Sequence, residues 1–331
     1  MTDYKTIQGR RVVSLASDPP GPVSEGQIWY NSTATEFKTS VKVAAWASGG
    51  NLNTPKDSLG AACAAPITAG MVFGGGDSTG HLAETEQYDG SSWTEVGNLN
   101  TAREILGGSG TQTAALAFGG QKSEPNANAN ESEEYNGTAW TEGDNLNTAR
   151  YIIGAGTQTA GLGFGGAGIG LTRTDASEEY NGTSWSEGDN LNGSRGYLAG
   201  CGTQTAGLAM AGSITGTAHA TVVEEYNGTS WSEVTNCTQG RKRCGAGGLQ
   251  TSAVLFGGII PAVTNKAESY DGTSWTNLAN MGTARYFVNG HGTSNSAVLA
   301  AGGLTTANAE NHTAATEEFT IAGSVKVITD S

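Results

Sequence analysis

The stretch EEYNGTSW occupies Glu178–Trp185 and returns unchanged as Glu224–Trp231. Two readings compete for it. Asn181-Gly182-Thr183 and Asn227-Gly228-Thr229 are N-glycosylation acceptors, whereas Asn-Gly between two short strands is a tight hairpin turn. The other copies of the stretch decide between them. Tyr135-Asn136-Gly137 keeps the asparagine, but Tyr88-Asp89-Gly90 and Tyr270-Asp271-Gly272 carry aspartate. Aspartate accepts no N-glycan, yet Asp-Gly suits a type I′ turn as well as Asn-Gly does. Turn geometry is what the position selects, and the sequon is a by-product.

The hairpin belongs to a longer repeat. Tryptophans stand at 46, 93, 140, 185, 231 and 275, separated by 47, 47, 45, 46 and 44 residues. Five residues before each of the later five lies a tyrosine (Tyr88, Tyr135, Tyr180, Tyr226, Tyr270), and Phe319 takes that place in a further copy. Between these units a run of small residues ends in Gly-Gly, at 74–75, 119–120, 165–166, 257–258 and 302–303, with Ala211-Gly212 in one copy. One unit spells out four strands: YIIGAG (Tyr151 to Gly156), TAGLGFGG (Thr159 to Gly166), SEEY and TSWSE. Four antiparallel strands in about 45 residues is the pattern of a propeller blade, and stacking blades in a ring buries faces that no single sheet can bury. Six copies predict an all-β, six-bladed β-propeller over residues 41–331, preceded by a short N-terminal arm over 1–40.

These residues resemble the kelch family: Gly-Gly closing the second strand, Glu-x-Tyr on the third, Trp on the fourth and a basic residue soon after it. The resemblance spans roughly Ala44 to Phe319. It implies the propeller fold but no one function, because kelch propellers serve as enzymes, adaptors and adhesins. The last copy lacks a fourth strand of its own. VKVAAW, ending at Trp46, is expected to supply it; the rival is SVKVIT (Ser324 to Thr329), which echoes Ser40 to Val43.

Composition agrees with short strands and tight turns: 51 of 331 residues are glycine and only 15% are charged. The net charge of −14, with Arg241-Lys242-Arg243 as the one basic cluster, argues against nucleic acid and anionic membranes as partners. No stretch approaches the roughly 20 apolar residues of a membrane span, and MTDYKTIQGRRVVSLASD lacks the apolar run of a signal peptide. Cys63, Cys201, Cys237 and Cys244 fall in no metal-ligand spacing and read as buried free thiols. Gly161-Leu162-Gly163-Phe164-Gly165-Gly166 matches G-x-G-x-x-G, but no helical period follows it, so the match is accidental. His81, His219, His291 and His312 are scattered among different copies. No catalytic constellation, metal site or cofactor site stands out, and the expectation is a protein that is not an enzyme and carries no cofactor.

Two sets of charges recur. NLNTPK, NLNTAR, NLNTAR, NLNGSR, NCTQGR and NMGTAR place Lys56, Arg103, Arg150, Arg195, Arg241 and Arg285 after the tryptophans. Glu86, Glu133, Glu178, Glu224, Glu268 and Glu317 stand two residues before each Tyr or Phe. An anion-binding ring is one reading; structural ion pairs between the two sets are the preferred one, since a binding site seldom repeats around a whole ring.

Antiparallel order puts the short turns on one face and the NLNTAR connections and variable loops on the other, with both chain ends leaving opposite those loops. Loops on a rigid scaffold are where binding usually sits. Lys122, Asn126, Asn128, Arg173, Asp175, His219, Asn265 and Asn308 are the binding candidates there. Upstream, EGQIWYNST (Glu25 to Thr33) resembles short elements of tailed-phage fibre and virion proteins that sometimes precede kelch-like repeats. That resemblance implies a virion structural protein (tail fibre, head fibre or capsid surface decoration), made in the host cytoplasm and working at the virion surface. Its arm would contact other virion proteins, its loops a host-surface glycan or protein, in many copies per particle. The alternative is a cellular kelch-type protein–protein interaction adaptor.

Overall fold

The structure is a computed structural model that describes residues 12–19, 25–123, 127–168, 170, 172–214, 219–306 and 311–328. The described residues form an all-β chain of many short strands, without an α-helix. None of the described residues forms a helix able to cross a membrane.

Two compact units are present: Trp46–Phe319, and Met1–Ala45 together with Thr320–Ser331. The division differs from an arm ending at residue 40 and a repeat domain running to 331. The reason is a backbone bond, because Ile328 N donates to Phe37 O (2.8 Å) and so ties the residues after Phe319 to the N-terminal segment.

In the larger unit five four-stranded antiparallel sheets follow one another along the chain, an arrangement compatible with a propeller-like fold. Gly107–Thr111, Ala114–Phe118, Ser132–Tyr135 and Trp140–Glu142 make one of them, in that order. A further sheet of this unit has the order 46–48, 316–319, Ala297–Ala301, Asn289–Ser294. Gly49 N donates to Thr316 O (2.9 Å) at its start.

The Asn-Gly hairpins differ in detail from the expected type I′ turn. Tyr180 pairs with Trp185, so four residues intervene, and only Gly182 is left-handed (φ +86°). Asn181 lacks the positive φ that a type I′ turn requires. Its side chain works instead: Oδ1 accepts from the N–H groups of Thr183 and Ser184, both at 2.9 Å. Asp271 does the same for Thr273 and Ser274 (2.9 and 2.7 Å). An Asx turn explains why Asn and Asp interchange here.

Aromatic packing joins several of the sheets to their neighbours. Tyr and Trp of one hairpin meet at 5.0 to 5.1 Å between ring centroids, as in Tyr88–Trp93, Tyr135–Trp140 and Tyr180–Trp185. The same tryptophans pack on a phenylalanine of the preceding sheet, in Phe73–Trp140 (4.9 Å), Phe118–Trp185 (4.8 Å) and Phe164–Trp231 (5.0 Å). Such pairs contribute roughly 0.5–1.5 kcal/mol beyond their burial. Trp46 meets both Phe256 and Phe319 at 5.3 Å, taking the part of the repeat tryptophan for the final sheet.

Buried ion pairs pin each connector to the sheet that follows it. Lys56–Glu86 (2.6 Å), Arg103–Glu133 (2.8 Å), Arg150–Glu178 (2.5 Å), Arg195–Glu224 (2.6 Å), Arg241–Glu268 and Arg285–Glu317 (2.9 Å) are almost wholly removed from solvent. Spare donors and acceptors are used as well. Arg103 Nη1 donates to Gly119 O (3.0 Å) and Glu131 O (2.7 Å), while Glu133 Oε2 accepts from Asn100 N and Nδ2. Gly119 and Gly120 turn with φ of +63° and +100°, and a Cβ on Gly120 would lie 2.7 Å from Glu104 O. The chain therefore needs glycine to pass so close to the connector.

In the smaller unit, Ile28–Asn31 runs parallel to Val13–Leu15 and antiparallel to the first part of Glu36–Ser48. Asp18 holds it together, accepting from Trp29 Nε1 (3.2 Å), Asn31 Nδ2 (2.8 Å) and Lys38 Nζ (3.0 Å). Trp29 is fully buried. These bonds, that from Asn31 first and that from Lys38 next, hold the Asp18 carboxyl below its usual range.

Removing one member of a buried pair leaves the other charge unpaired, at a cost of about 3–5 kcal/mol. Arg150→Ala and Glu178→Ala are each expected to lower unfolding stability by that order. The double variant is expected to lose clearly less than the sum of the two in urea titrations, and strictly additive losses would show that the two side chains are not coupled.

Candidate binding site

The frame repeats up to each basic residue of the connector; the next two positions do not. They read Asp57-Ser58, Glu104-Ile105, Tyr151-Ile152, Gly196-Tyr197, Lys242-Arg243 and Tyr286-Phe287. Backbone bonds link the second residues in sequence: Ile105 N to Ser58 O (2.8 Å), Ile152 N to Ile105 O (3.4 Å), Arg243 N to Tyr197 O (2.9 Å) and Phe287 N to Arg243 O (2.8 Å). Ser58 N to Phe287 O (3.1 Å) joins the last copy to the first. Ser58, Ile105, Tyr197, Arg243 and Phe287 all have positive φ, from +50° to +57°. That conformation is costly for residues other than glycine and persists only where the surroundings impose it.

After Gly-Gly, each loop returns to bridge its own outgoing strand. Gly76 pairs with His81, Gln121 with Asn128, Ala167 with Arg173, Ser213 with His219 and Leu304 with His312. Two of these returning residues reach the connector position of the next copy. His81 Nε2 lies 3.3 Å from Glu104 Oε1, and His312 Nδ1 lies 3.2 Å from Asp57 Oδ1.

Asp57, Asp77, His81, Glu104, Arg243 and His312 thereby line one bowl of about 540 Å³. The Arg243 guanidinium stacks on Tyr197 (4.7 Å) and Phe287 (4.5 Å), with Tyr286 at 5.9 Å. A smaller cavity of about 70 Å³ shares Ser58, Ile105, Tyr197, Arg243 and Phe287 with the bowl and is otherwise mostly apolar. Burial dominates the electrostatics. It pushes the Asp57 carboxyl up to about 6, against the opposing effects of Ser58 and His312, and it raises Glu104 and lowers His81.

The loop residues singled out from sequence sit elsewhere. Lys122 pairs with Glu131, Asn128 Nδ2 donates to Ala167 O (3.2 Å), and Arg173 donates to Ser213 Oγ (2.9 Å). Asp175 O accepts from Leu191 N, and Asn265 Nδ2 donates to Met281 O, both at 2.9 Å and both bracing connectors. His219 is held in its bridge to Ser213. None of these six lines the bowl. Asn126 and Asn308 lie outside the described residues. The twelve connector and strand charges are spent on the frame.

The bowl's own residues escaped sequence reasoning because His81 and His312 come from loops far apart in the chain. A usable signal was present all the same, in the two variable positions after each basic residue. The four cysteines are buried free thiols, and burial pushes Cys63 and Cys237 up to about 11. His291 is fully buried and pushed down to about 4. Among the described residues no group of three or more His, Cys, Asp or Glu is placed to hold a metal ion.

Asp57 makes a testable difference to stability. A carboxyl whose folded pKa is raised favours the folded state below its unfolded value near 3.8, and that contribution is lost as pH rises through about 6. Asp57→Asn is expected to flatten the stability profile between pH 4 and 7 and to raise stability at pH 7 by up to roughly 3 kcal/mol. Urea titrations of both proteins across that range check this. Parallel profiles would mean that Asp57 titrates normally.

No protein-family model matches the chain, and no curated protein matches it.

Proposed function

We propose that the larger unit is a six-bladed kelch-like propeller closed by the N-terminal strand, and that the chain is a phage virion structural protein attaching particles to a host surface. Tail fibre, head fibre and capsid decoration are the settings that this reading covers. Closure is supported by contacts that repeat from sheet to sheet. The repeat tyrosine hydroxyl donates to a glutamate of the preceding sheet in Tyr226–Glu179 (2.5 Å) and Tyr270–Glu225 (2.9 Å). Tyr88 makes that bond to Glu318 (2.7 Å), across the ends of the repeat array. Trp93 Nε1 likewise donates to Thr316 Oγ1 (2.9 Å), as Trp140 does to Thr85 Oγ1 (3.0 Å).

One observation carries the binding role. The frame positions recur in every copy, while the side chains that line the bowl change from copy to copy. A rigid frame with one variable concave site suits recognition without turnover. The virion setting is supported by the EGQIWYNST segment, which folds around Asp18 as part of a separate unit. That unit is the part assigned to contact other virion proteins. Weak individual contacts would gain strength from many copies per particle.

Replacing residues 121–130 with a Gly-Ser loop is expected to leave incorporation into particles intact and to reduce attachment to host cells. Deleting residues 1–35 is expected to abolish incorporation, read by immunolabelled electron micrographs. Particles that attach normally without the chain would end the attachment reading. Closure has its own test: removing residues 1–50 should lower the melting temperature sharply, and an unchanged melting curve would count against the N-terminal strand.

A further inference from the structure

The bowl is lined by carboxylates and by buried ring and guanidinium nitrogens that lack partners. Asp57 and Glu104 are carboxylates that burial has partly stripped of water. His312, with a side chain only 10% exposed, meets Asp57 through Nδ1 (3.2 Å), and its Nε2 has no hydrogen-bond partner among the described residues. His81 Nδ1 and Arg243 Nε are buried and lack partners as well. A buried donor left unpaired is costly, and a suitable guest would recover that loss.

Charge narrows the choice of guest. An ammonium guest could pair with the carboxylates but would meet the like charge of Arg243, whose guanidinium already covers the faces of Tyr197 and Phe287. A carboxylate or phosphate guest would face Asp57, Asp77 and Glu104. A hydroxyl meets neither obstacle, because it donates to carboxylates and accepts from guanidinium or imidazole N–H. The bowl's volume of about 540 Å³ lies within the roughly 300–1,000 Å³ of small-molecule sites. We propose that the bowl binds a neutral saccharide unit, with Asp57 and Glu104 accepting from its hydroxyls and Arg243 and His312 donating to them. The proposal names a ligand for the site described above and rests on the attachment reading for its biological setting alone.

The test uses the purified full chain on an array of neutral, amino-bearing and acidic saccharides, with spermidine and inorganic phosphate titrated calorimetrically beside it. Neutral saccharides are expected to be retained. Glu104→Gln and Asp57→Asn are each expected to raise the Kd at least tenfold with no fall in melting temperature. His219→Ala, outside the bowl, should leave binding unchanged. A preference for acidic saccharides, phosphate or spermidine overturns the proposal. So does an array that retains nothing, or binding that survives both substitutions. Saccharide binding combined with normal attachment by particles lacking the chain would sink the attachment reading and leave the bowl assignment standing. A blank array, combined with attachment lost on replacing residues 121–130, would do the reverse.

Discussion

The structure depends on a guanidinium buried against a carboxylate. Two isolated charges would pay heavily for leaving water, and their attraction repays this only when every remaining donor and acceptor is used. Here most of that condition is met within one connector, with Arg195 Nε the donor left without a partner among the described residues. Arg195 reaches Glu224 (2.6 Å) and also the carbonyls of Ala211 (3.0 Å) and Val222 (2.8 Å). Glu224 in turn takes the N–H and the side-chain amide of Asn192, both at 2.7 Å. A chain poor in large aliphatic residues can thus hold its sheets by polar clamps and aromatic contacts. Where the pattern slips, the cost is visible. Gln87 stands where four other copies have glutamate (Glu134, Glu179, Glu225, Glu318), and the Tyr135 hydroxyl that would have met it has no partner among the described residues.

The clamps also explain why the bowl is free to vary. Each ends at the basic residue, and the two residues beyond it are placed by backbone bonds that ask nothing of their side chains. Asp57, Glu104, Tyr151 and Lys242 occupy equivalent places with unrelated chemistry. Stability and recognition are therefore written at adjacent positions, and a change in one need not disturb the other.

Much of the frame was legible in the sequence because it is periodic. Six copies of Tyr or Phe, Trp, Arg or Lys and Glu, five of them with Gly-Gly, expose the sheets and suggest which charges meet. What escaped is whatever depends on a fold-back between copies. His81 and Glu104 are brought together by a returning loop, and so are His312 and Asp57; no spacing rule announces either pair. Lys122, Asn128 and Arg173 looked available as polar loop residues, yet short loops spend such side chains on bracing themselves. The hairpin type was missed for a local reason: an Asx side chain can cap a four-residue turn that the dipeptide alone suggests is shorter.

Trp46 and Gly49 rest against Phe319 and Thr316, and that pairing sets an order of events during synthesis. A ribosome adding about 5–20 residues per second needs roughly a quarter of a minute to a minute to travel from one to the other. Throughout that interval the residues around Trp46 are a strand edge without its neighbour, the kind of edge that recruits other chains. Alanine, serine, glycine and asparagine surround that tryptophan in AAWASGGN, where a stickier protein would carry valine or isoleucine. The small side chains around Trp46 thus read as protection for a nascent chain obliged to wait for its own last sheet.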